Sequence, residues 1–166
     1  MIFPTLSTRL SKADVLHASQ LFSPNQLVEL IHHSNPRIAC NAAWILSHTP
    51  TANRHLLIPF REQLIDTLLA TPNSSLQRIL LSILIQLPTP PNTHINLLNY
   101  CFSNIPNATI LTAIRAHSIR LAYQLAKPHP ELLHELNAIL TLLPNEELQP
   151  AIKISKINIL KKINHD

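Results

Sequence analysis

Apolar residues recur along this chain at spacings of three and four, in runs cut short by proline, asparagine or serine. That period predicts helices, and nothing alternates over four to eight residues as a half-buried strand would. The clearest run is Ser34 to His48. Asn35 is placed to cap it, Pro36 takes the first helical position, and Ile38, Ala39, Ala42, Ile45 and Leu46 form one apolar face. Arg37, Asn41, Trp44 and His48 fall on a second stripe of the same helix. Further helices are predicted over 10–21, 24–33, 53–70, 76–87, 92–105, 108–127, 131–143 and from 145 to 163. Pro59 lies inside the 53–70 pattern, so that helix is kinked or begins near Ile58. The 108–127 helix reads as the longest, and Pro150 as a residue that bends or delays the last one.

The breaks have their own chemistry. Pro-Asn stands at 24–25, 72–73, 91–92, 106–107 and 144–145. Proline stops one helix, and asparagine either caps the next or occupies a left-handed turn. Both stand in for glycine, which is absent from all 166 residues. The absence also removes phosphate loops, dinucleotide fingerprints and nucleophile elbows, all of which need glycine at fixed places.

Aligning the second helix of each predicted hairpin exposes a repeat. Arg37, Arg78, Arg115 and Lys153 occupy a shared early position at spacings of 41, 37 and 38 residues. Ile38, Ile79, Ala116 and Ile154 follow one residue later. A lone helix pair cannot bury its apolar face, so stacking must complete the core.

The run Pro36-Arg37-Ile38-Ala39-Cys40-Asn41-Ala42-Ala43-Trp44-Ile45-Leu46, with its weaker copy Arg78 to Leu84, resembles the HEAT-like helical repeats over about residues 24–163. The order of Asn41 to Leu46, Leu57-Ile58-Pro59, Gln77 to Leu81 and Asn99 to Phe102 is similar to a group of short bacterial helical-repeat proteins. Members of that group often carry the label adenylosuccinate lyase. A glycine-free chain has no counterpart of that enzyme's glycine-bearing mobile loop. The resemblance implies an all-α, right-handed α-α superhelix of about four hairpins. It spans one domain, 1–166, in which 1–23 form an N-terminal capping segment.

Composition narrows the function classes. Apolar residues make up 46%, enough for a packed core, whereas charged residues are only 13% and leave few candidates for catalysis. Ten histidines include no helical i, i+4 pair, so neither a metal site nor a cofactor is expected. Glu62/Asp66 and Glu131/Glu135 share helix faces and read as solvated surface. Cys40 and Cys101 read as buried free thiols. Lys153, Lys156, Lys161 and Lys162 read as a solvated helix end. No apolar run approaches the ~20 residues of a membrane span, and no signal peptide is apparent, so the cytoplasm is the expected compartment.

The expected function is a non-catalytic module that binds a protein or peptide through Arg37, Asn41, Trp44, Arg78, Arg115 and Lys153. The alternative is a nucleic-acid backbone binder, since the formal charge is +4. A lyase-type enzyme ranks third. The basic column has a purely structural reading too, an inter-repeat ladder in which each cation hydrogen-bonds carbonyls or an acid of the neighbouring repeat.

Overall fold

The computed structural model describes residues 6–90, 92 and 94–165, and every regular element among them is helical. The expected start of the 92–105 helix and the Pro-Asn at 91–92 therefore fall partly outside the described residues, as do the first five residues of the capping segment. The chain forms two compact units, residues 1–87 and 88–166.

The first unit contains α1 (Lys12–Leu21), α2 (Pro24–Ile31), α3 (Pro36–Ser47), a 3-10 segment (Thr51–Phe60), α4 (Arg61–Ala70) and α5 (Ser74–Gln86). Ser11 and Ser23 start α1 and α2 with reciprocal capping boxes, closed by Asp14 and Gln26. Asn35 and Asn73 cap α3 and α5 through their side-chain oxygens. No described residue has a positive φ. Glycine is therefore replaced by N-capping and not by left-handed asparagines. The expected 53–70 helix divides at its proline: Pro59 has no N–H to give, the chain runs as 3-10 turns to Phe60, and α-geometry begins at Arg61.

Helix α3 is the centre of this unit, packed against α1, α2 and α5. Ala39, Ala42 and Ala43 are buried and short, so three neighbours can approach one helix. Ile45 and Leu46 of α3, Leu64, Ile65 and Leu68 of α4, and Leu80, Leu81 and Ile83 of α5 are almost wholly buried. Each such side chain contributes on the order of 1.5–3 kcal/mol when removed from water.

The second unit contains α6 (Ile95–Asn104), α7 (Thr112–Ala126), α8 (Pro130–Leu142), a 3-10 turn (Asn145–Glu147) and α9 (Pro150–His165). Its central helix is α7, packed against α6, α8 and α9. Two sequence expectations change here. Helix α7 begins at Thr112, because Asn107 holds a turn in which its Oδ1 accepts from the Thr109 amide and hydroxyl. The longest helix among the described residues is α9, with 16 residues, and Pro150 opens it at a position whose N–H has no helical partner to lose.

Candidate functional site

The six residues singled out by the sequence go to different places. Arg37 and Arg78 in the first unit and Lys153 in the second are exposed. No hydrogen bond or ion pair engages their side chains among the described residues. Trp44 is half-buried, with the His48 ring edge-on at 6.1 Å between centroids and His48 Nδ1 2.9 Å from the Trp44 carbonyl. Asn41 is buried, and its Nδ2 donates to the Leu6 carbonyl at 2.7 Å and the Thr8 carbonyl at 2.8 Å. Both amide hydrogens are thereby engaged in holding the chain's own N-terminal segment on α3.

Arg115 is also buried. Its Nε donates to the carbonyl of Ile105, the residue that ends α6, at 2.9 Å. Burial lowers its pKa from the ordinary arginine value. The bond lies within one hairpin, not between repeats. Lys156 does the same work in the next hairpin: buried, it donates to the carbonyl of Leu143, which ends α8, at 2.6 Å and to Asn145 Oδ1 at 2.8 Å. In the first unit Gln77 donates from Nε2 to the carbonyl of Thr71, which ends α4, at 2.8 Å.

Three second helices thus each give one side-chain donor to a last-turn carbonyl of the helix before them. These carbonyls are orphaned by helix geometry and, lacking a glycine-based C-cap, need another partner. Lys156 is accordingly no part of a solvated helix end. The basic column also slips by one residue, since Gln77, not Arg78, is the counterpart of Arg115. Each stands four residues past its helix's N-cap, Asn73 and Leu111 respectively.

The first unit carries a groove that the sequence did not disclose. It encloses about 560 Å³ between the α2–α3 turn and the α4–α5 turn. Ile31, Pro36, Ala39, Pro72 and Leu76 give it apolar walls, and α4 turns Gln63, Asp66, Thr67 and Ala70 toward it at a spacing of one helix face. Gln63 Nε2 and His32 Nε2 meet at 3.1 Å, joining α4 to the end of α2. The polar groups of the turns are largely engaged. Asn73 caps α5 and reaches Cys40 Sγ at 3.6 Å, His33 Nδ1 accepts from the Asn35 amide, and Thr67 Oγ1 donates to the Gln63 carbonyl. Asp66 is exposed and has no bonded partner among the described residues. Its place in i, i+4 register with Glu62 was legible, but that it edges a groove was not.

Other reactive groups are held quiet. Burial pushes the Cys101 thiol up to about 12, against a smaller opposing effect from the Ser118 hydroxyl. Cys40 is raised by burial too, partly offset by Asn73 and by the nearby Arg78 charge. In the second unit the Lys127 and Lys162 ammonium groups lie 5.9 and 5.6 Å from the centroid of the buried Tyr123 ring. No three His, Cys, Asp or Glu side chains converge as metal ligands would among the described residues. No described helix is long and apolar enough to cross a membrane.

Set against known proteins, residues 5–163 match the family described as HEAT repeat domain. No curated protein and no solved structure gives a significant match.

Proposed function

We propose, from the premise that this chain belongs to the HEAT repeat domain family, that it is a non-catalytic interaction module whose first unit seats a peptide segment of a protein partner. The observation that carries this reading is the groove of about 560 Å³, with apolar walls from Ile31, Ala39 and Leu76 and polar edges from His32, Gln63 and Asp66. An apolar cavity with few polar groups at its rim suits a segment that buries one or two side chains and is oriented by its ends. Arg37 and Arg78, exposed on α3 and α5, are the further contacts available in this unit. Asn41 and Arg115 are left out of the proposed surface because their donors are already bonded inside the chain. In this reading residues 1–166 work as one repeat domain in the cytoplasm.

The test compares capture from the native cell by immobilised wild-type protein and by Thr67→Arg, which fills the groove. The captured segment is then titrated as a synthetic peptide. Binding that Thr67→Arg weakens by about tenfold or more supports the reading. Equal binding to both proteins overturns it. Incubation with adenylosuccinate is expected to release no fumarate.

Nucleic-acid backbone binding keeps the exposed Arg37, Arg78 and Lys153 in its favour but loses Arg115. Duplex affinity at low salt that falls steeply as salt is added, and that weakens in Arg78→Ala, would replace the peptide reading.

A further inference from the structure

We infer that the occupant of the first-unit groove presents a basic side chain, lysine or arginine, to Asp66 beside the apolar residue it buries; this rests on the peptide reading above. Asp66 is the one carboxylate among the residues that line the groove. It stands on α4 between Gln63 and Thr67, whose side chains are held by His32 and by the Gln63 carbonyl. Of the other polar groups of the wall, Asn73 is engaged by the α5 amides and Cys40 and His33 by the Asn35 amide, while the Ser34 hydroxyl is neutral and can donate as well as accept. Asp66 alone is charged, acceptor-only and unbonded among the described residues.

An acidic occupant would be repelled by this carboxylate, and a neutral one could offer it a hydrogen bond but no charge. A guanidinium or ammonium would supply the missing donors at a charge-assisted bond length. The chain's net charge of +4 does not decide the matter, because the groove is lined by Asp66 and not by Arg37 or Arg78. A basic anchor also explains how so apolar a groove could fix the register of its ligand. The buried side chain supplies affinity, and the single ion pair sets where along the groove it lies.

The experiment uses the full chain and three pools of capped octapeptides. All share a degenerate background of alanine, leucine, valine and proline, with one fixed position as arginine, glutamine or glutamate. Affinities are read by fluorescence polarisation against wild type, Asp66→Asn, Asp66→Lys and Thr67→Arg. Asp66 is exposed, so its variants are expected to fold, which circular dichroism checks. For wild type the arginine pool binds about fivefold tighter than the glutamine pool, the scale of one solvent-accessible ion pair. That preference vanishes in Asp66→Asn and turns toward glutamate in Asp66→Lys. Equal binding of all three pools that Thr67→Arg abolishes overturns the basic anchor while leaving the peptide reading intact. A preference for arginine that persists in Asp66→Asn overturns it likewise. No binding by any pool, or binding indifferent to Thr67→Arg, overturns both.

Discussion

The guanidinium Nε of Arg115 lies 2.9 Å from the carbonyl oxygen of Ile105, so a buried cation on α7 closes the end of α6. Lys156 and Leu143 repeat the relationship between α9 and α8, and Gln77 and Thr71 between α5 and α4. A chain without glycine cannot turn its helices off through left-handed C-caps at low cost, and here side chains of the following helix finish the job.

Arg115→Ala and Lys156→Ala should therefore each destabilise the protein by about 2–3 kcal/mol, the loss of a charge-assisted bond and of the carbonyl's partner in a dry site. Gln77→Ala, which removes a neutral donor at a half-buried place, should cost about 1 kcal/mol. Arg37→Ala and Lys153→Ala should stay within about 0.5 kcal/mol of wild type. Urea unfolding of the five variants checks the order. If Lys153→Ala costs as much as Lys156→Ala, the assignment of the closing donor is wrong.

Asn41 ties residues 6–8 to α3 by two bonds from one amide group. Asn41→Leu keeps the volume near that site but supplies no donor, leaving the Leu6 and Thr8 carbonyls without it. A loss of about 2 kcal/mol is expected, together with faster proteolysis within the first ten residues. Asn41→Asp should be worse at neutral pH, since a carboxylate would face two carbonyl oxygens. Mass spectrometry of limited-digestion products reads both effects.

Much of this architecture could be read before any coordinates. Ser11, Ser23, Asn35 and Asn73 announce four helix starts by chemistry that acts within three residues, and the three-and-four spacing of leucine and isoleucine marks the buried faces. What was hidden depends on contacts across a turn. Arg37, Arg78 and Arg115 look equivalent in a period of about forty residues, yet which side chain reaches the preceding carbonyl varies with the turn: Gln77 and Arg115 do so four residues past their N-caps, Lys156 from the seventh residue of α9. Counting from Asn73 and Leu111 would have selected Gln77 with Arg115. Asp66 showed only its i, i+4 register with Glu62, because a groove exists only once α4 lies beside the α2–α3 turn.

Asn73 joins two roles that one substitution separates. Its Oδ1 accepts from the Ser75 and Leu76 amides, and its Nδ2 reaches Cys40 Sγ at 3.6 Å. Asn73→Asp keeps the cap but turns the group facing the thiol into an acceptor with negative charge, whereas Asn73→Ala loses both. Asn73→Ala should cost about 1–2 kcal/mol and Asn73→Asp much less. The thiol's pKa is held down by the Asn73 bond, against burial that raises it. Alkylation of Cys40 by iodoacetamide at fixed pH should therefore slow in both variants, more so in Asn73→Asp. A Cys40 rate unchanged by either substitution would show that the contact does not tune the thiol.

The second cysteine gives the stability of the protein a dependence on alkaline pH. Burial pushes the Cys101 thiol up to about 12 in the folded chain, above the ordinary value near 9 that it regains on unfolding. The folded state thus holds its proton where the unfolded state releases it. The sign follows directly: stability is fully present below pH 9, falls as the pH climbs from about 9 toward 12, and levels off only above the folded value. Tyr100, also raised by burial, adds a slope of the same sign above its ordinary value of 10. Cys101→Ala removes the thiol's share of the slope while leaving the tyrosine's, at the cost of a small cavity. Urea midpoints measured every half unit from pH 8 to about pH 11 should converge for wild type and Cys101→Ala as the pH rises. Parallel curves would mean that the thiol ionises alike in both states. Under native conditions near pH 8, Ellman's reagent should then meet Cys40 first and reach Cys101 only at the rate at which the second unit opens.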